Sequence, residues 1–163
     1  MPDYPVMFTV RDAISGNGFL AGVTMSGRVT AREEDGQWWI DGVRPTGIAA
    51  SGSTPGEAFL HFRETYKNVL FDLAEESEKY EDFRVAVEAF YFQHNEEEES
   101  RWESAVKVMR AGSVPTEGFF AKLPTQAPEN RPSGHTVERL DKQEARYKPT
   151  DNISDYFALP AAA

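Results

Sequence analysis

The chain has 163 residues, 40% of them hydrophobic, a formal charge of −10 and no cysteine. That composition suits one compact domain with extensions, and it excludes a disulfide framework, a thiol nucleophile and cysteine-ligated zinc. The acidic balance disfavours direct nucleic-acid binding and favours a basic protein partner, while the lack of a long apolar run or a signal-peptide pattern predicts a cytoplasmic protein with no membrane span.

Taken in order, Tyr4, Val6, Phe8 and Val10 alternate with polar or small neighbours, the period of a strand. Ser15-Gly16-Asn17-Gly18 is a turn signal. Phe19, Ala21, Val23, Met25, Val29 and Ala31 then share one face, opposite Thr24, Ser26, Arg28, Thr30 and Arg32. Gly27 interrupts the apolar face and marks a bulge or bend. Asp35-Gly36 is a hairpin turn, because both central residues of a type I′ turn need positive φ. Gln37 to Val43 is the return strand, Arg44-Pro45-Thr46-Gly47 a loop, and Ile48 to Ser51 a short strand.

Thr54-Pro55-Gly56-Glu57-Ala58 opens the organising helix. Thr54 is the N-cap, Pro55 the first helical residue, and Glu57 completes a capping-box pattern. Ala58, Phe62, Tyr66, Val69 and Leu73 recur at helical spacing, so a helix is expected from about Pro55 to Glu76. Phe83, Val87, Phe90 and Tyr91 fit a helix, yet Phe83, Val85, Val87, Ala89 and Tyr91 also fit a strand. More than ten residues without Gly or Pro favour the helix. Asn95 followed by Glu98 starts another, striped by Trp102, Val106 and Met109, with Gly112 as its C-cap.

From Ser113 onward, prolines break any long element, and an extended or disordered segment is expected, with a polar helix over Thr136–Tyr147 as an option. The expected fold class is α+β: a small antiparallel sheet of about 3-4 strands packed by one long capped helix (residues 1-76), a helical extension (77-112) and an irregular tail (113-163).

Several of these residues carry a family likeness. Asp35-Gly36, Pro45-Thr46-Gly47, Ile48 to Ser51, and Gly52-Ser53-Thr54-Pro55-Gly56-Glu57-Ala58 follow one another as in the HicB-like antitoxins, which the region 29-76 resembles. The resemblance implies a truncated ribonuclease H-like sheet without catalytic acids, and neutralisation of a small basic ribonuclease toxin. Family members also carry a C-terminal DNA-binding module. The C-terminal half here shows neither a helix-turn-helix nor a ribbon-helix-helix pattern.

No residue pattern demands catalysis. His61, His94 and His135 lie far apart in sequence, which suits packing, surface and solvated roles rather than a metal site. The carboxylate runs sit beside turns or in first helical turns, where they are solvated or caps rather than general acids. Asp41 lies between bulky strand neighbours and calls for an ion pair with Arg28 or Arg44. No cofactor is implied. The candidate partner-binding residues are apolar: Trp38 and Trp39, adjacent and so on opposite faces; Phe119 and Phe120; and Ile153, Tyr156, Phe157 and Leu159 in the polar tail. For the second tryptophan, cover by the helices of Phe83–Met109 competes with a partner surface. For the tail, partner binding competes with docking on its own domain or no role. The expected function is a non-catalytic, antitoxin-like binder of a basic toxin, as a homo-oligomer. The alternative is a structural or adaptor protein that self-assembles.

Overall fold

The computed structural model describes residues 2–125, 134–141, 149–150 and 157–160. Two long strands, β1 (Tyr4–Gly16) and β2 (Phe19–Glu34), form an antiparallel ladder that pairs every residue of β1. β2 turns into β3 (Gln37–Arg44) at Asp35-Gly36, whose φ values of 53° and 76° are those the type I′ turn requires. β4 (Thr46–Gly52) follows the cis Arg44-Pro45 bond.

The expected sheet is too small. Two further strands come from the segment read as irregular: β5 (His135–Arg139) and β6 (Phe157–Ala158). The six-stranded sheet runs β4-β3-β2-β1-β6, with β5 attached to β2. β2 can serve both because it divides its length. Ala21 to Met25 pair with β5, whereas Arg28 to Glu34 pair with β3. The change falls over Ser26 and Gly27, just before the β2–β3 register shifts between Arg28 and Val29. A side chain at Gly27 would collide with the Arg44 carbonyl and the Phe8 ring, so only glycine fits there. The polar helix over Thr136–Tyr147 is also corrected. Thr136 to Arg139 are extended, held by β2, and residues 142–148 lie outside the described ones.

Helix α1 (Pro55–Glu76) starts as expected, with Thr54 Oγ1 accepting from the Glu57 amide at 3.1 Å. Its Phe59, Phe62, Tyr66 and Leu70 are buried against the face of the sheet that carries Val6, Phe8 and Val10. α2 (Tyr80–Phe92) is helical and buries Phe83, Val87, Phe90 and Tyr91. Its strand-like alternation is overruled because the stripe it buries has helical spacing. α3 (Glu96–Arg110) begins at Asn95, whose side chain accepts from the amides of Glu97 and Glu98. It covers the other face of the sheet, where Val43 and Met7 meet Trp102 and Val106. A short α4 (Gly118–Ala121) follows. No described helix is long and apolar enough to cross a membrane.

Two contacts tie distant segments together. The Asn17 side-chain amide in the β1–β2 turn donates to the carbonyls of Ser77, at 2.8 Å, and Glu75, at 3.4 Å, capping the end of α1. Phe120, Leu123, Phe157 and Leu159 join the same core as Val6 and Phe59. The segment 113–163 therefore supplies part of the central core as well as its sixth strand.

Candidate functional site

Most of the apolar residues singled out for a partner turn inward. Phe157 packs tilted against Phe59 at 4.2 Å between ring centroids, and Phe120 stacks on Tyr4 at 4.3 Å. Phe119 meets Phe59, and Trp38 meets Phe120 and Tyr4. Phe120, Phe157 and Leu159 are fully buried, and Trp38 and Phe119 half-buried. Of the readings open for these three, docking on their own domain is the one their burial fits. Their apolar area is removed from water by their own domain, because β6 pairs with Met7 and Phe8 of β1 and delivers Phe157 beside α1. Trp38 is thus the tryptophan of the pair that packs against the main core, beside Phe120 of α4. Trp39 projects to the opposite face, half-buried, with Arg32 and Ser51 as cross-strand neighbours. Ile153 and Tyr156 lie outside the described residues.

The face under α3 is polar. Arg28 donates to both carboxylate oxygens of Glu99 at 2.9 Å, and Arg44 approaches the same group at 3.4 Å. Arg28 also lies over the Trp102 ring. Asp41 does not pair with Arg28 or Arg44, as its sequence neighbourhood suggested. It pairs with Arg32 and, at 3.7 Å, with Arg101. The helix-start acids Glu98 and Glu99 are therefore not merely solvated: Glu99 anchors α3 to the sheet, and Glu98 pairs with Arg101 of its own helix. Burial pushes the Glu98 carboxyl above its usual range, the Asp41 charge adds to this, and Arg101 at 3.5 Å opposes it. Glu98 Oε2 is buried and has no hydrogen-bond partner among the described residues.

Two clefts border α3. One of about 340 Å³ lies between its N-terminus and the β3–β4 connection, lined by Asp41, Thr46, Ala49, His94 and Glu98 among others. The second, of about 360 Å³, has a floor of Met7, Trp102, Val106 and Pro160 and a rim of Glu103, Lys107 and Arg110. Among the described residues, no group of three or more His, Cys, Asp or Glu side chains is placed to hold a metal. His61 Nδ1 sits 2.7 Å from the Ser51 carbonyl. His135 is not simply solvated, since it packs against the Tyr91 and Phe92 rings.

The outer faces of α1 and α2 carry more acid than base, with Lys67 exposed among the acids of α1. α1 exposes Glu57, Glu64, Asp72, Glu75 and Glu76, and α2 exposes Glu81, Asp82 and Glu88. Between the acids of α1 stand two exposed apolar side chains, Leu60 at 52% and Phe71 at 44% exposure. Eleven residues apart, they lie three turns along one helical stripe. Sequence reading missed this pair. The available signal was that Leu60 and Phe71 fall outside the core-facing stripe of Phe62, Tyr66 and Leu73.

The chain matches no protein-family model, no curated protein and no solved structure. The likeness of residues 29-76 to HicB-like antitoxins therefore rests on the motif residues themselves.

Proposed function

We propose that the protein is a non-catalytic, antitoxin-like binder of the cytoplasm that neutralises a small basic, ribonuclease-type toxin by occlusion. One observation carries this reading: seven of the nine described arginines pair with acids of the same chain. Arg28, Arg32, Arg44, Arg63, Arg84, Arg101 and Arg139 each pair with a carboxylate of the same chain. The surplus acid behind the charge of −10 is left facing outward. A surface of one sign steers and selects a partner of the opposite sign. On α1, Leu60 and Phe71 add an apolar anchor inside the acidic field, the arrangement of a buried centre with a polar rim. The order hairpin, loop, short strand and capped helix supports the HicB-like part of the reading. With Phe157 and Leu159 committed to the core, the occluding surface is assigned to the outer face of α1 rather than to the tail.

The test is co-expression with a small basic protein encoded beside this chain. Restored growth, and a complex that weakens as salt is raised, are expected. A basic neighbour that stays toxic and does not bind would overturn the proposal.

A further inference from the structure

The two edges of the sheet are treated differently. Along β1, the chain covers its own edge: β6 pairs with Met7 and Phe8, and Thr150 exchanges hydrogen bonds with Arg11. At the other end of the sheet, β4 pairs with β3 alone among the described residues. An uncovered strand offers a row of amides and carbonyls to another strand, and proteins guard such edges with charge, proline or bulges. Within β4 there is no charged residue and no proline, and its one irregularity against β3 is at Gly47-Ile48, opposite Gly42, before the regular pairing from Ala49 to Gly52. The uncharged run extends from Pro45 to Gly56, in a chain where 27% of residues are charged. Gly47 and Ala49 are exposed, while Ile48 and Ala50 are buried on the α1 side. The His61 ring at the Ser51 carbonyl occupies only the far end of the strand.

We infer that β4 is a self-association edge, on which two copies of this chain pair antiparallel about Ala49 to form one continuous sheet. A second copy fits this edge by symmetry and by charge. Pairing centred on Ala49 sets Ile48 of one copy against Ala50 of the other, so both buried faces, and both α1 layers, fall on the same side. A basic protein is drawn to the acidic helices, whereas two copies that each carry −10 meet across this seam without setting like charges in direct contact. The inference does not depend on the toxin-binding reading, since it concerns the isolated chain.

Ala49 is exposed, and in the dimer it faces itself, which gives a direct test by sedimentation of the full chain. The wild type is expected to form a dimer that tightens as salt rises from about 50 to about 500 mM, because screening relieves the repulsion between acidic copies. Amide exchange from Thr46 to Ala50 is expected to slow as protein concentration rises. Ala49→Glu and Ala49→Lys, each placing like charges opposite one another, are expected to weaken the dimer about tenfold or more. Both should keep the wild-type circular dichroism spectrum. An equal mixture of the two is expected to restore dimer, as a mixed pair. A wild-type chain that stays monomeric, a dimer untouched by both substitutions, or a mixture that fails to restore it would overturn the inference. Should either variant unfold, the exchange measurement on the wild type decides: edge amides insensitive to concentration overturn it.

Discussion

Arg63 on α1 grips Asp12 on β1 with two parallel hydrogen bonds of 2.7 Å, one to each carboxylate oxygen. Asp12 is fully buried and Arg63 retains 12% exposure. The pair rivets the organising helix to the centre of the long hairpin. Removing one partner of such a pair strands the other charge without solvent. Arg63→Met is therefore expected to cost about 3–5 kcal/mol in chemical denaturation. Replacing both residues with apolar ones should recover much of that loss.

The second prediction concerns the tail. Since Phe157 packs on Phe59 and Phe8 inside the core, Phe157→Ala should lower folding stability by about 3–5 kcal/mol in a denaturant titration. A variant with unchanged stability would return Phe157 to the role of a partner contact.

Helix caps give a third. Thr54→Ala removes the acceptor for the Glu57 amide, and Asn95→Ala removes the one shared by Glu97 and Glu98. Each should cost about 1 kcal/mol by thermal or chemical melting. The two sites share no partner, so the double variant should show the sum.

Glu98 sets a pH dependence. Burial raises its pKa in the folded chain, so the folded state binds that proton more readily than the unfolded one. Stability from this group is complete below its unfolded pKa and is lost as pH rises through the raised folded value. Glu98→Gln should therefore flatten the fall in stability between acidic and neutral pH. Parallel melts of the two proteins across that range check it, and a steeper fall in the variant would refute the assignment.

Local rules were readable where one residue type meets one backbone need. Thr54 and Asn95 cap as their chemistry dictates, and Asp35-Gly36 turns with both φ values positive. The α1 boundaries followed from the same signals. Long-range pairings were not readable. β5 reads His135-Thr136-Val137-Glu138-Arg139, with a single apolar residue, and it is a strand because the first half of β2 holds it. Asp41 finds Arg32 and Arg101 rather than Arg28 or Arg44, because α3 lands on that face and Glu99 takes Arg28 and Arg44. In the tail, an aromatic patch in polar sequence looks alike whether its receptor is a partner or its own domain. The pairing of β6 with β1 places Phe157 against its own domain.

The side-chain amide of Asn17, reaching from the hairpin tip to the carbonyls of Glu75 and Ser77, couples two places that ordinarily fray independently. A turn at the far end of a long ribbon and the last turn of a long helix are both natural starting points for unzipping. Moored to each other by this amide, the two weak ends share a latch, so fraying at one loosens the other.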